Sequence, residues 1–361
     1  MKLTDIFQIL LSNCKLQQPQ GRDIYRFRGN EENFIKNGET LLEERISLFD
    51  GKTNSIRCFS VDDLNSMNVN IYYISASINN KSCRGVWNGK SVLVKIYCID
   101  FHYNNEVTLA CACREIAVAI QMGTHRNAHR LLGYCLHTNH PVLVYEWEEK
   151  GNLMDRITNY KKGKSNETLE WKDRLRIAWE IAHAVAYLHT AFRRPIIHRG
   201  LIPGNVYLDQ DNSARLSDFG LSISIPEGKK HVDDMVIGVS NYFIAPEYLR
   251  SGRVTKSLDV FAFDGILLFL LTGCSHRSYI QRSRFDLVEW VSECREVKCL
   301  DDVVDPTINK NGPVADEHFD RQLKALVELA LSCLANDQES RPTMVDVATQ
   351  LKNIITPSSS F

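Results

Sequence analysis

The chain has 361 residues, of which 44% are hydrophobic, 24% charged and 9% aromatic, enough apolar material for a large core and too much for wholesale disorder. Lys plus Arg is 43 and Asp plus Glu is 44, so the formal net charge is −1 and no bulk field draws the chain to nucleic acid or anionic lipid. Length alone allows about two to three domains.

The opening Met1–Phe7 carries no signal-peptide pattern, and Lys2 stands where N-myristoylation would need Gly. The longest apolar run, Gly265 to Leu271, is far short of a membrane span. Eleven Cys are scattered from Cys14 to Cys333 without a C-x-x-C pair or Cys/His knuckle, and they read as reduced thiols used as small core hydrophobes. These features predict a soluble, cytoplasmic protein.

Residues 1–55 are polar and irregular, but Phe34, Leu41, Leu42, Ile46 and Phe49 fall at mixed helical spacing. Gly51 to Ser55 reads as a turn. Ile71 to Ile74 is β-rich, and Val92 to Tyr97 is a buried strand that carries one Lys, with Asn88-Gly89 as a hairpin signal before it. Glu106 to Met122 predicts a helix, and Pro141 to Trp147 another buried strand. Leu175, Ala178, Ile181, Val185 and Leu188 mark one face of a long helix. Leu258 to Leu271 is apolar all round and should be buried on every side. Thr343-Met344-Val345-Asp346 can cap a last helix. A small strand-rich lobe followed by a larger helical lobe is the predicted architecture, α+β in class, with any cleft near Trp147.

Short motifs occur in a fixed order. Lys95 ends a hydrophobic strand; Glu115 lies within the next helix; His198-Arg199-Gly200-Leu201-Ile202-Pro203-Gly204-Asn205 follows the long helix; then come Asp218-Phe219-Gly220, Ala245-Pro246-Glu247 and Arg341-Pro342. Each is weak singly, but the ordered set is a strong signal. From about residue 70 to residue 353 the chain resembles the eukaryotic protein kinase fold, bilobal, with Tyr145-Glu146-Trp147 similar to the gatekeeper and hinge of plant receptor-like kinases.

The resemblance implies roles. Lys95 would hold nucleotide phosphates and Glu115 would orient it; Glu146 and Trp147 would border the nucleotide; Asp218 and Asn205 would hold Mg²⁺. It also exposes losses. The three glycine positions of the phosphate-cradling loop fall on Ser75, Ser77 and Asn80, and Ser82 replaces the Val expected to pack on adenine. Glycines are needed there so that backbone N–H groups can approach phosphate without Cβ clashes. Gly200 occupies the place of the catalytic Asp, and general-base catalysis is worth roughly 10²- to 10⁴-fold. Ile202 replaces the Lys that would steady the γ-phosphate, and Val239 stands where a Gly-Thr is expected. No catalytic residue is therefore expected, no cofactor is expected to be required, and binding of ATP and Mg²⁺ should be weak, absent or held in an unusual way. Glu247, Asp259 and Arg341 match structural positions that hold the activation segment and the catalytic loop.

The segment preceding the kinase-like region, Asn37-Gly38-Glu39-Thr40-Leu41-Leu42-Glu43-Glu44 and then Ser55-Ile56-Arg57-Cys58-Phe59-Ser60, is similar to the opening of the HopZ-ETI-deficient-related pseudokinases of receptor-like cytoplasmic kinase subfamily twelve. Leu216 to Lys229 adds to that likeness. The implied layout is a polar, disordered terminus over 1–32, a family-specific extension over 33–69, a small lobe over 70–149, a large lobe over 150–353 and a flexible tail over 354–361. The implied role is that of an adaptor for the leucine-rich-repeat domain of a plant immune receptor, sensing a bacterial effector directly or through a modified receptor-like cytoplasmic kinase. No nucleic acid and no direct membrane insertion are expected, and any association with the plasma membrane would run through the receptor complex. Gly38, Leu41 and Leu42 are the expected docking face. Ser222, Ser224, Lys229, Lys230 and Ser240 of the activation segment are a second candidate surface, and Arg199 is available to pair with a phosphate.

Overall fold

The computed structural model describes residues 24–52, 54–70, 73–76, 80–97, 105–161, 168–234, 244–273, 304–308 and 317–356. Val239, Ser240 and Ser77 lie outside the described residues.

The small lobe is a six-stranded sheet in the order β1-β5-β6-β4-β3-β2. Its strands are β1 (Arg57–Cys58), β2 (Tyr73–Ala76), β3 (Asn80–Trp87), β4 (Lys90–Tyr97), β5 (Leu131–Cys135) and β6 (Val142–Glu146). Neighbours are antiparallel except β1 and β5, which run parallel. The β3–β4 hairpin turns on Asn88 and Gly89, both at positive φ (49° and 76°), the two-residue geometry that matches strand twist. Register places Lys95 opposite Ser82 on one side and Leu143 on the other, in the middle of the sheet.

The extension forms helix α1 (Glu31–Phe49). Asn30 caps it by accepting from the Asn33 N–H at 2.8 Å, Glu31 and Glu32 complement the positive end, and Asp50 closes it in the left-handed region. Leu41, Leu48 and Phe49 enter the main core. Helix α1 lies along α3 (Asn105–Met122), where Arg114 grips Glu44 in a two-pronged pair at 2.8 and 3.1 Å. Asn37 is fully buried and donates to the carbonyls of Leu136 and Thr138. The end of α1 reaches the large lobe: Phe49 packs edge-on against Phe192, and Asp50 pairs with Arg194. The segment before α1 also packs, with Phe27 buried beside Phe59, Met67 and Val69. Short helix α2 (Val61–Ser66) begins at a reciprocal capping box of Ser60 and Asp63.

The large lobe is built around α5 (Trp171–Thr190) and the nearly all-apolar α7 (Lys256–Thr272), with α4 (Leu153–Lys161), α6 (Pro246–Ser251), α8 (Glu317–Cys333) and α9 (Met344–Ile355) around them. Fourteen α7 residues, Leu258 to Thr272 with Gly265 excepted, are buried, as its composition predicts. Thr343 and Asp346 form the predicted capping box at the start of α9. Strand β7 (Ile196–Ile197) pairs with β10 (Ile223–Ser224), and hairpin β8 (Val206–Leu208) and β9 (Ala214–Leu216) lies between them in the chain.

Candidate functional site

The predicted site residues converge at the junction of the two lobes. Lys95 points from β4 towards α3 and donates to Glu115 at 2.6 Å and to Asp218 at 2.8 Å. Its side chain is 5% exposed and that of Glu115 is fully buried, so these charges balance one another away from water. Burial lowers the affinity of Lys95 for its proton, but Asp218 and Glu115 more than offset this and hold its pKa above the ordinary lysine value. Burial raises the pKa of Glu115, partly opposed by Lys95.

Glu115 accepts more than a lysine. Tyr145, the gatekeeper, donates its hydroxyl to Oε1 at 2.6 Å, and Tyr97 donates to Oε2. Tyr97 also explains Gly220, because a Cβ there would stand 2.7 Å from the Tyr97 hydroxyl and 3.1 Å from the Cys111 carbonyl. The lysine, the glutamate and the aspartate thus form one buried network with two tyrosines.

The catalytic loop keeps its scaffold. Asp259 on α7 accepts the backbone N–H groups of His198 and Arg199 at 2.8 and 2.9 Å and a bond from His189 at 2.8 Å. Burial would raise its pKa, but the contacts with His189 and His198 together outweigh burial and keep it low. Neutral His198 accepts from the Gly200 N–H and donates to the Ser217 carbonyl, and Phe219 packs edge-on against its ring. Asn205 donates to the Gly200 carbonyl at 2.9 Å.

Gly200 itself is buried and presents no group to a substrate hydroxyl. A Cβ at this position would find its nearest neighbour at 3.4 Å, an ordinary van der Waals contact, so packing does not demand glycine here. Asp209 and Asp211 do not replace it: Asp209 pairs with Arg215 at 2.9 Å and accepts the N–H groups of Asp211 and Ser213. Glu247 and Arg341 form the expected clamp, a bidentate pair at 2.6 and 3.1 Å, with the guanidinium over Phe261.

Three expectations need correction. Leu41 is 3% exposed and packs in the protein's own core, because α1 turns that face to α3. Leu42 is 52% exposed beside Ile35 and Ile46, and Gly38 is half-buried. Ser222 is fully buried in the tight turn after Phe219–Leu221 and presents nothing to a partner, whereas Ser224 is half-buried in strand β10 (Ile223–Ser224) and Lys229 and Lys230 are exposed. Arg199 is not free for a phosphate: its buried guanidinium bonds Asp234 at 2.7 Å and the Leu221 carbonyl at 2.6 Å.

Sequence reasoning missed Asp234 and Tyr207. Asp234 follows β11 (Val232–Asp233), which pairs with β12 (Arg253–Val254), and the pairing carries its carboxylate to Arg199. Tyr207 is central in β8, and its neighbours Val206 and Leu208 are fully buried in the core. Strand alternation therefore sends Tyr207 to the opposite face. It packs at 4.7 Å from His129; burial raises its pKa, and the nearby Ser82 hydroxyl of the roof strand offsets part of that rise. His129 stacks on Tyr145 at 4.7 Å and is kept neutral, with a pKa of about 4, by burial. An aromatic two residues after Asn205, in a strand facing the cleft, was the available signal.

A lysine–glutamate pair between strand and helix, an Asp-Phe-Gly turn, a capped catalytic loop and a Glu–Arg clamp, in two lobes, define a protein-kinase domain. The chain belongs to the protein kinase domain family, whose profile matches residues 79–353, and within it to the ZED1/ZRK pseudokinase group. It is 38% identical to the non-functional pseudokinase ZED1 of Arabidopsis thaliana over 332 residues, 89% of this chain and 95% of that protein. It is 35% identical to the serine/threonine-protein kinase ZRK1 of the same plant, over 89% of this chain and 92% of that one. The non-functional pseudokinase ZRK2, also from Arabidopsis thaliana, is 32% identical over 90% of both chains. Among the described residues no helix is long and apolar enough to cross a membrane.

Proposed function

We propose that the chain is a catalytically impaired pseudokinase acting in the cytoplasm as an adaptor for the leucine-rich-repeat domain of a plant immune receptor, in recognition of a bacterial effector or of a cytoplasmic kinase that the effector has modified. The observation that carries the reading is the pairing of a preserved scaffold with a buried, side-chain-free Gly200 at the base position. Clamps at Asp259 and Glu247–Arg341 hold the fold while Gly200 offers no side chain to accept a substrate proton. A fold kept without its base is a surface.

The docking candidate is the outer face of α1, where Ile35, Leu42 and Ile46 are 59%, 52% and 54% exposed at seven- and four-residue spacing, on one side of the helix. The turn at Glu227 to Lys230 is the second exposed candidate. Replacing Leu42 and Ile46 together by Glu should abolish co-purification with the receptor while leaving the melting temperature within a degree or two, since exposed substitutions cost about 0.5 kcal/mol or less. Unchanged co-purification sinks the docking face. The retained Lys95–Glu115 pair favours one alternative, a kinase of low activity; phosphate transfer that vanishes on Asp218→Asn would revive it.

A further inference from the structure

The cleft between the lobes has a second anomaly, independent of the missing base. In a kinase the nucleotide's phosphates lie by the Lys95 and Asp218 positions, and its ring extends outward to the hinge beneath the roof residue at Ser82. A flat ring in such a slot needs about 3.5 Å of van der Waals separation on each face. Ser82 in the roof is 3% exposed, and its hydroxyl lies near enough to that of Tyr207, which rises from β8 in the lower lobe and is 7% exposed, to offset part of the rise that burial gives the pKa of the phenol. Behind them His129 packs between Tyr207 and Tyr145, donating Nε2–H to the hinge carbonyl of Glu146 at 2.9 Å and accepting from the Ser217 hydroxyl at 3.2 Å. On the outer side Arg84, two residues from Ser82 and on the same face of β3, lays its guanidinium 5.1 Å from the ring of Trp147.

We propose that Tyr207 is the cleft's own occupant: its phenol fills the adenine position, bonds the roof strand to the lower lobe, and so excludes adenine nucleotides while cementing the two lobes in their stead. This rests on the pseudokinase reading only for the location of the cleft; it stands on packing, whereas that reading stands on Gly200. Interiors are close-packed, so a purine enters only by expelling the tyrosine, and that strips Ser82 of its partner and His129 of its neighbour. Tyr207→Leu with Ser82→Val removes the ring and the polar contact and leaves an apolar slot of aromatic width.

Adenosine is the sharper probe, because it has no phosphates and is blind to the lost glycines and to the engaged Lys95. Wild type should show no thermal shift with millimolar adenosine or ATP, with or without Mg²⁺. The double variant should be raised several degrees by adenosine, since a ligand bound only by the native state adds stability. Tyr207→Phe, which keeps the ring and loses the hydroxyl, should stay unresponsive. A shift of wild type by adenosine overturns the proposal. So does a folded double variant that ignores adenosine at the same concentration. Should the double variant fail to fold, Tyr207→Leu alone carries the same two outcomes. Receptor co-purification, read separately, reports on the adaptor role and is not moved by either result.

Discussion

The buried triad of Lys95, Glu115 and Asp218 makes a prediction that separates a structural lysine from a catalytic relic. Lys95→Met removes the cation that bonds two carboxylates, Glu115, which is fully buried, and Asp218, which is 18% exposed at the side chain. Breaking a buried pair by deleting one partner costs about 3–5 kcal/mol, because the remaining charge stays desolvated. At about 2–4 °C per kcal/mol for a domain of this size, the melting temperature should fall by roughly 6–20 °C. The loss should depend on pH. Burial already raises the pKa of Glu115 above the ordinary glutamate value, and without Lys95 it rises further. A carboxyl group with a raised folded-state pKa supports the fold while protonated and opposes it as pH climbs through that pKa. The variant should therefore be closer to wild type at pH 5 than at pH 8 in thermal melts of both proteins. Adding Glu115→Gln should recover part of the loss at pH 8 and little at pH 5. A Lys95→Met melting temperature within two degrees of wild type at both pH values would refute the reasoning.

The Cβ of Gly200→Asp meets only ordinary contacts, so the variant should fold. It should restore no measurable phosphate transfer from radiolabelled ATP, because Ile202 supplies no charge to steady the γ-phosphate; transfer at a tenth of an ordinary kinase rate would overturn this. Leu41→Ala should cost about 2–4 kcal/mol in urea unfolding and Leu42→Ala about 0.5 kcal/mol or less, since one side chain is 3% and the other 52% exposed; equal costs would contradict the orientation of α1. Asp234→Ala strands the buried Arg199 guanidinium and should cost about 1–3 kcal/mol, with faster proteolysis near residue 230; Asp234→Glu should recover part of it.

Much of the fold was legible because its signals are local. The apolar run in α7, the Thr343 capping box and the Asn88-Gly89 turn each state their structure within a few residues. The motif residues were legible as an ordered set, and the structure brings Lys95, Glu115 and Asp218 within hydrogen-bonding reach. The helical spacing of the extension named its apolar residues but could not say which of Leu41 and Leu42 faces inward. That choice depends on where α3 lies and on the Arg114–Glu44 pair that fixes it.

Arg199 shows the same limit. Its partner Asp234 is 35 positions away and reaches it only through the β11–β12 pairing. Tyr207 is an unremarked tyrosine in a three-residue strand until the roof hydroxyl of Ser82, from the other lobe, is set against it.

The sequence by itself determined which side chains stand at positions 82, 200 and 202, a serine, a glycine and an isoleucine, together with the helices and strands whose periodicity is local. Only the tertiary structure decided what the surviving groups do, which face of α1 is exposed, and that the cleft is filled from within. Those outcomes depend on contacts between residues far apart in the chain, where burial and alignment, rather than residue type, set the energy.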